Sequence, residues 1–158
     1  MSQVDLSEFA ESQLFKGIEG KELKLLSSIF TQSQVAEGKT LFIENMPGEA
    51  LYIIVQGSVK ISQMLAEVKE QELMTLGAGD VFGELAVIDD GNRTVTAQIT
   101  EDALLYSLNR DNFNTLMSDE PQLALQLTLN IVKIFSARIR SAKEDYRTML
   151  VASLSNKS

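Results

Sequence analysis

Three residues in one short stretch of this chain have the types and spacing to bind an anionic ligand. Gly83 is followed directly by Glu84, and Arg93 lies nine residues after the glutamate. A glycine lets the backbone approach a ligand closely, a carboxylate accepts hydrogen bonds from hydroxyl groups, and an arginine presents a planar fork of donors to a phosphate. Together these groups predict a site for a nucleotide monophosphate, with Arg93 on the phosphate and Glu84 on the sugar.

The residues after Gly83 add backbone donors to this prediction. If residues 84–86 begin a single helical turn, their N–H groups and the positive end of the turn face outward, where an anion can bind. Thr94 adds a hydroxyl donor beside Arg93. Each residue also has an ordinary interpretation: an isolated arginine is most often a solvated turn residue paired with a neighbouring aspartate, and Thr94 can be a plain strand residue.

Composition excludes several kinds of chemistry. None of the 158 residues is cysteine or histidine, which excludes disulfides, thiolate metal sites, histidine-based metal centres and the commonest general base. We therefore expect no metal, no cofactor and no enzymatic activity. The net charge of −8 differs from that of a protein that binds the phosphate backbone through clustered Lys and Arg, so direct DNA binding is not expected either.

Length and hydropathy predict one domain over residues 1–158, located in the cytoplasm and away from the membrane. A chain of 158 residues can bury a core of its own without disulfides. The first residues lack the positively charged and apolar segments of a secretory signal. The longest apolar runs, such as residues 51–55, are far shorter than the roughly 20 residues that span a bilayer.

Hydrophobic periodicity divides the chain into three regions. Residues 1–33 are predicted to be helical, with a lead-in over residues 1–13 and an amphipathic helix whose apolar residues recur within residues 23–30. Residues 34–109 contain short β-type runs separated by Gly, Pro, Asn and Asp, a pattern typical of a sandwich or barrel. The predicted strands are 40–43, 51–56, 58–63, 72–76, 94–99 and 103–108.

The third region, residues 110–150, is predicted to hold two helices. Asp111 is placed to cap a short helix, and Asp119 to cap a second one that admits Pro121 in its first turn. Neither glycine nor proline follows up to residue 149, which allows about 28 residues of helix, or ~42 Å.

An apolar stripe on the long helix predicts what the helix contacts. Leu127, Ile131 and Ile134 step by threes and fours toward Arg138. Such a stripe can form the seam of a symmetric homodimer, which is the predicted arrangement. Packing of the same stripe against the chain's own β region is the alternative.

The ordered series of motifs resembles the cyclic nucleotide-binding domain family. Segment 82–97 reads F-G-E-L-A-V-I-D-D-G-N-R-T-V-T-A and is similar to the family's phosphate-binding cassette, which typically reads F-G-E-L-A-L, a short turn, then an arginine. Segment 47–59, P-G-E-A-L-Y-I-I-V-Q-G-S-V, resembles the strand-turn-strand of the family. The chain departs from the pattern at Asn92, where a proline is common, and at Val95, where alanine is usual.

The resemblance covers residues 14–138 and implies a fold, a ligand and a site. The fold is α+β: an antiparallel β-roll, jelly-roll-like (a double-stranded β-helix), with short N-terminal helices and a long C-terminal helix. The ligand is cyclic AMP or cyclic GMP. The long helix would close over the base, with Arg138 near the purine and Ile61 and Met74 as the opposite apolar wall. The alternatives are a surface Arg138 beside Glu144 and Asp145, and Ile61 and Met74 as plain core residues.

The candidate ligand-binding residues follow from the cassette and from this resemblance. They are Phe82, Gly83, Glu84, Leu85, Ala86, Arg93, Thr94, Ile61, Met74 and Arg138.

The predicted function is that of a sensor or regulatory module. Binding of a cyclic purine mononucleotide to both the cassette and the long helix would shift the position of the helix, and a homodimer or a protein partner would read that shift. Family members often carry a DNA-binding, kinase or channel domain after the helix, for which these 158 residues have no room, so we expect either a protein partner or that the chain is a piece of a longer protein. Two alternatives stay open: a degenerate β-roll that serves as a protein-interaction or dimerisation domain, and a cupin-like enzyme, which is disfavoured because cupin metals require histidines.

Overall fold

A computed structural model describes residues 3–66 and 68–156. The first two residues of the predicted lead-in and the last two residues of the predicted domain lie outside these ranges. Two short 3-10 helices, Leu6–Phe9 and Gln13–Phe15, precede helix α1, Gly20–Ile29. Leu23 and Leu26 bury the apolar face of α1, as their helical spacing predicts.

Six strands form one antiparallel sheet that is rolled around a core. The strands are β1 Thr31–Val35, β2 Thr40–Phe42, β3 Ala50–Leu65, β4 Lys69–Leu76, β5 Val81–Phe82 and β6 Thr96–Asn109. Their order is β1-β6-β3-β4, with β2 paired to β6 and β5 paired to β3. The predicted α+β class and antiparallel β-roll are confirmed, although β1 begins three residues before the predicted β region.

Two long bent strands replace four predicted short ones. The predicted runs 51–56 and 58–63 are both parts of β3, which passes through Gly57 with a φ of +93°. A Cβ at Gly57 would lie 2.5 Å from the carbonyl oxygen of Asp102, so glycine permits close contact with β6. The register between β3 and β6 shifts on both sides of Gly57. Gly57 therefore marks a β-bulge rather than the predicted turn.

The last two helices begin close to the predicted positions but use different caps. Helix α3, Arg110–Asp119, is capped by Asn109, whose side chain accepts a hydrogen bond of 2.7 Å from the backbone N–H of Asn112. Helix α4, Pro121–Ser155, begins at proline as predicted and has no side-chain cap. Asp111 and Asp119 are therefore not the caps, because each lies inside α3.

The predicted homodimer seam on α4 is buried within the chain itself. Leu127 and Ile131 are 0% and 1% exposed, in a core that they share with residues of α1, α3 and the N-terminal 3-10 helices, and Ile134 packs against this core. Asn130 is also fully buried, and its side-chain amide donates hydrogen bonds of 2.9 Å to the carbonyls of Leu14 and Lys16. The prediction that this stripe is a dimer seam is wrong, because the first half of α4 uses it to pack on the domain.

The second half of α4 extends away from the domain. Every residue from Ile139 to Asn156 is exposed. No helix in the described ranges is long and apolar enough to cross a membrane. No group of three or more His, Cys, Asp or Glu residues in those ranges is arranged to hold a metal ion.

A second apolar core lies inside the roll, next to the predicted site. Its buried residues are Ile54, Val59, Ile61, Phe82, Ala97, Ile99, Ala103 and Leu105. The apolar run 51–55 belongs to β3, which pairs with β6 on one side and with β4 and β5 on the other. The predicted central position of this run is confirmed.

Candidate ligand-binding site

A cavity of about 240 Å³ lies between the roll and α4. All ten predicted site residues line it, and they come from β3, from β4, from the segment between β5 and residue 95, and from α4. The structure thus brings together residues that are 77 positions apart in the chain, from Ile61 to Arg138. Their contact with a ligand stays a prediction.

A single helical turn follows Gly83, as the sequence predicts. Helix α2 is Leu85–Ile88, and Gly83 precedes it with a φ of +71°, a conformation that favours glycine. The backbone N–H of Ala86 donates to the carbonyl of Gly83 at 3.1 Å. One of the three N–H groups expected to face an anion is therefore used within the turn itself.

The backbone of Arg93 is held by a turn that comes before the cassette. Its N–H donates to the carbonyl of Met46, and its carbonyl accepts from the N–H of Asn45, each at 2.8 Å. A β-bridge between Pro47 and Asn92 adds to this pairing. These contacts fix the direction in which the Arg93 side chain enters the protein.

The guanidinium of Arg93 is buried at the edge of the cavity. It donates to the carbonyl of Ala50 at 2.8 Å and to the carbonyl of Gly83 at 3.2 Å, and its central carbon lies 3.9 Å from the ring centroid of Phe42. Its Nε is buried and has no hydrogen-bond partner among the described residues. Arg93 is only 8% exposed, so its interpretation as a solvated turn residue is wrong.

The electrostatics of this position favour an anion. Burial lowers the pKa of the Arg93 guanidinium from its ordinary value, and the charge of Arg110 lowers it further, whereas Tyr52, Glu84 and Glu49 oppose the shift. Arginine starts from so high a pKa that the group stays charged. A buried cation with an unpaired donor is stabilised by a negatively charged partner.

Two glycines make the space that Arg93 occupies. A Cβ at Gly48 would lie 2.7 Å from Nε of Arg93, and a Cβ at Gly83 would lie 2.7 Å from Nη1. Real Cβ atoms do not approach other heavy atoms so closely, so either side chain would displace the guanidinium. Gly48 and Gly83, one from each sequence motif, thus have a structural reason.

This close contact predicts the effect of adding one methyl group. Gly48→Ala is expected to lower the free energy of unfolding by about 1–3 kcal/mol, because the new Cβ forces Arg93 out of its contacts. Gly77→Ala is the matched control, since neither glycine has a positive φ and a Cβ at Gly77 meets nothing within 4 Å. Urea unfolding measures both, and equal effects would contradict the predicted contact.

Glu84 and Arg138 form an ion pair that ties α4 to the cassette. Glu84 is 4% exposed, and its Oε1 lies 2.5 Å from Nη1 of Arg138. The other terminal nitrogen of Arg138 donates to the carbonyl of Val81. The alternative of a surface arginine beside Glu144 and Asp145 is therefore wrong. The predicted contact of Arg138 with a purine is untested, and the structure places this side chain against the predicted sugar acceptor.

The apolar wall contains residues that the sequence analysis did not select. Ile61 is both a core residue and a cavity residue, and Met74, opposite it in the sheet, is half exposed. The register between β3 and β4 shifts next to this pair, so Leu73 is an extra residue of β4 and also lines the cavity. Strict strand alternation would place the adjacent residues Leu73 and Met74 on opposite faces of the sheet. The β-bulge explains why both line the cavity.

Other lining residues were also missed, and one of them had a signal in the sequence. Phe135 precedes Arg138 by three positions and therefore lies on the same face of α4. Val95, which stands where alanine is usual, lines the cavity without filling it. The remaining missed residues are Phe42, Leu76, Asp89, Gly91 and Asn92.

A roll that holds a buried arginine and a carboxylate beneath a long helix is the architecture of a known class. Residues 32–120 match the family model described as "Cyclic nucleotide-binding domain". The chain belongs to the cyclic nucleotide-binding domain family, and the resemblance noted in the sequence is confirmed.

Particular relatives have the same fold and part of the same sequence. The chain is 29% identical over 141 residues to a "CRP-like cAMP-activated global transcriptional regulator" of Mycobacterium tuberculosis, with 89% of this chain and 61% of the relative covered. It is 31% identical over 131 residues to the "Cyclic AMP receptor protein" of Thermus thermophilus, with 83% and 59% covered. The chain therefore spans about three fifths of the length of these relatives.

Solved structures show the same similarity. The catabolite activator protein of Thermus thermophilus superposes with a TM-score of 0.76 at 29% identity, with 87% of this chain and 63% of that chain covered. The regulatory domain of Toxoplasma gondii PKA, crystallised with cAMP, superposes with a TM-score of 0.65 at 28% identity, with 70% and 42% covered.

Proposed function

We propose that this chain is a regulatory module that binds a cyclic purine mononucleotide, cyclic AMP or cyclic GMP, in the cavity between the cassette and α4. The single observation that carries the proposal is the buried guanidinium of Arg93, whose Nε lacks a partner among the described residues. Family membership supports the class of ligand, and the relatives' names and the PKA regulatory domain crystallised with cAMP support cyclic AMP as one candidate.

The chemistry of the cavity assigns a part of the ligand to each wall. Arg93 binds the cyclic phosphate through charge-assisted hydrogen bonds, and the hydroxyl of Thr94 is a second donor to the same group. Glu84 accepts the ribose 2′-hydroxyl. A carboxylate has two oxygens with about four lone-pair positions, so its pairing with Arg138 leaves room for this bond.

The base lies against the apolar part of the cavity. Phe135 offers an aromatic face on α4, and Leu73 and Met74 of β4 line the same cavity. Stacking and apolar contact of this kind accept any purine, so the walls favour a purine ring without selecting adenine or guanine.

Contact with both the cassette and α4 makes the ligand a regulator of the helix. The ion pair between Glu84 and Arg138 already joins the two elements, and Phe135 adds a second contact from α4 to the cavity. A ligand that contacts both the cassette and α4 stabilises the arrangement in which α4 lies against the roll. The size of the shift depends on how much more tightly the ligand binds this arrangement than one in which α4 has moved away. The module thus converts nucleotide concentration into helix position.

A second apolar face on α4 supports a homodimer as the output. This face lies opposite the buried stripe, because Leu129 is two residues, or about 200° around the helix, from Leu127. Its members follow the a and d positions of a heptad repeat and are exposed. They are Leu125, Leu129, Val132, Ile139, Tyr146 and Leu150. The two remaining a positions in this span hold Ser136 and Lys143. This dimer face, rather than the stripe predicted from the sequence, would meet a second copy of the chain.

The charges that flank the dimer face favour a parallel pair with twofold symmetry. The e row is Lys133, Arg140 and Arg147, and the g row is Phe135, Ala142 and Met149. An antiparallel pair brings one e row against the other, which places three like charges together, whereas a parallel pair brings e against g and sets only Lys143, at an a position, against its twofold mate. A protein partner and the absence of direct DNA contact are further parts of the proposal, consistent with the net charge of −8.

Calorimetric titration tests the ligand. Cyclic AMP and cyclic GMP are expected to bind one per chain, and 5′-AMP, which has the same base and sugar but an open phosphate ester, is expected to bind more weakly. Absence of heat and of any thermal shift with both cyclic nucleotides would favour the degenerate β-roll. Stoichiometric metal in the purified protein would instead favour the enzyme alternative.

A further inference from the structure

Arg110 makes hydrogen bonds to three backbone carbonyls that lie on two different segments. Its Nε donates to the carbonyl of Ala86 at 2.8 Å, and its Nη2 donates to the carbonyl of Asp89 at 3.1 Å and to that of Gly48 at 2.5 Å. Its backbone N–H donates to the carbonyl of Glu49 at 2.7 Å. One residue thus joins the end of the cassette turn to the loop before β3.

Both segments form the surroundings of Arg93. Ala86 lies in α2 and Asp89 caps its C-terminus, where carbonyls lack partners within the helix and bind cations favourably. Gly48 is the glycine whose missing Cβ makes room for Nε of Arg93. A planar guanidinium with five donors can hold these separate carbonyls at once, whereas the ammonium of lysine offers one centre.

Arg110 is not among the residues that line the cavity. It is also the first residue of α3, whose Phe113 and Leu116 are buried in the same core as Leu127 of α4. Arg110 therefore connects the cassette to α3, and α3 shares a core with the packed half of α4.

We propose that Arg110 is a positioning residue that keeps the cassette and the Gly48 loop in the shape that binds phosphate and connects both to α3. This inference rests on the proposed binding of a cyclic nucleotide. It adds a residue that acts through Arg93 and α2 rather than by contact with the ligand.

Substitution of Arg110 tests the role by titration with cyclic AMP and cyclic GMP. Arg110→Gln is expected to raise Kd about tenfold or more, because charge-assisted hydrogen bonds that hold the cassette are lost. Arg110→Lys should give a smaller loss, since the charge remains without the fork. Lys24→Gln is the control, because Lys24 is exposed on α1, outside the cavity and the dimer face, and its Kd should equal that of the unmodified chain. An unchanged Kd in Arg110→Gln overturns the inference.

A double-mutant cycle separates positioning from a general effect on stability. In an Arg93→Lys background, where phosphate binding is already weakened, Arg110→Gln should cost less affinity than it does in the unmodified chain. Fully additive losses would show that Arg110 does not act through Arg93 and would overturn the proposal.

Amide hydrogen exchange examines the same role without any nucleotide. Arg110→Gln should speed exchange in residues 84–91 and 48–49, while β3 and β6 keep their protection. If the unmodified chain binds no cyclic nucleotide, the proposed function fails, and exchange alone decides the role of Arg110. Unchanged exchange in those segments, or a uniform increase across the chain, would overturn it.

Discussion

Replacement of Arg93 by alanine is expected to abolish measurable cyclic nucleotide binding. The phosphate would enter a buried position without its charged partner, and loss of one member of such a pair costs about 2–5 kcal/mol of binding free energy, or roughly 30-fold or more in Kd. Titration calorimetry with cyclic AMP and cyclic GMP measures this change. Lys24→Ala, which removes an exposed positive charge on α1 outside the cavity and the dimer face, is expected to leave Kd unchanged.

The Arg93 experiment needs a second variant, because this side chain also hydrogen-bonds the protein. Its donors hold the carbonyls of Ala50 and Gly83, so alanine leaves both without that partner. Arg93→Lys keeps the positive charge and should retain weak binding, whereas alanine should not. Thermal unfolding of each variant separates loss of fold from loss of ligand. If folded Arg93→Ala binds as tightly as the unmodified chain, the phosphate site lies elsewhere.

The cassette could be predicted from sequence because its chemistry is local. Gly83, Glu84 and Arg93 lie within eleven consecutive residues, and each type serves one requirement: a positive φ, an acceptor and a buried cation. The one-turn helix α2 follows from the same segment. The residue types of the site could therefore be assigned from this segment alone, whereas the direction of the Arg93 side chain depends on contacts with Met46 and Ala50.

Sequence periodicity could not reveal features that depend on contacts between distant segments. Leu73 reaches the cavity only because a register shift against β3 turns it from the face that alternation assigns. Arg110 interacts with carbonyl oxygens, which every residue possesses, so no side-chain motif marks its partners. The sequence predicts a turn at Gly57, because a glycine at a β-bulge and a glycine at a turn cannot be told apart by sequence pattern.

Helix α4 shows why a correct helix can be given the wrong face. Two apolar stripes run along it, one through Leu127 and Ile131 and the other through Leu129 and Val132. Both have helical spacing, so periodicity predicts the helix without deciding which stripe meets the core. The β-roll decides the choice, because its surface and the N-terminal segment accept Leu127, Ile131 and the amide of Asn130.

The exposed stripe gives the second large expected effect. Leu129→Glu combined with Val132→Glu should convert a dimer into a monomer, because each protomer would bring two carboxylates into an apolar interface, at a cost of about 2 kcal/mol or more for each uncompensated polar group. Sedimentation equilibrium measures the change in association. Both residues lie outside the cavity lining, so the monomer should still bind cyclic nucleotide.

Two further variants identify the face that is responsible. Met117→Glu places one carboxylate on an apolar residue of α3 that is 44% exposed and lies outside the dimer face, and it should leave association unchanged. Leu127→Glu should unfold the chain rather than dissociate it, because Leu127 is fully buried. A monomeric unmodified chain, or a dimer that persists in the double variant, would contradict the dimer face. A dimer lost only with Leu129 and Val132 would show that α4 uses one stripe to fold and the other to associate.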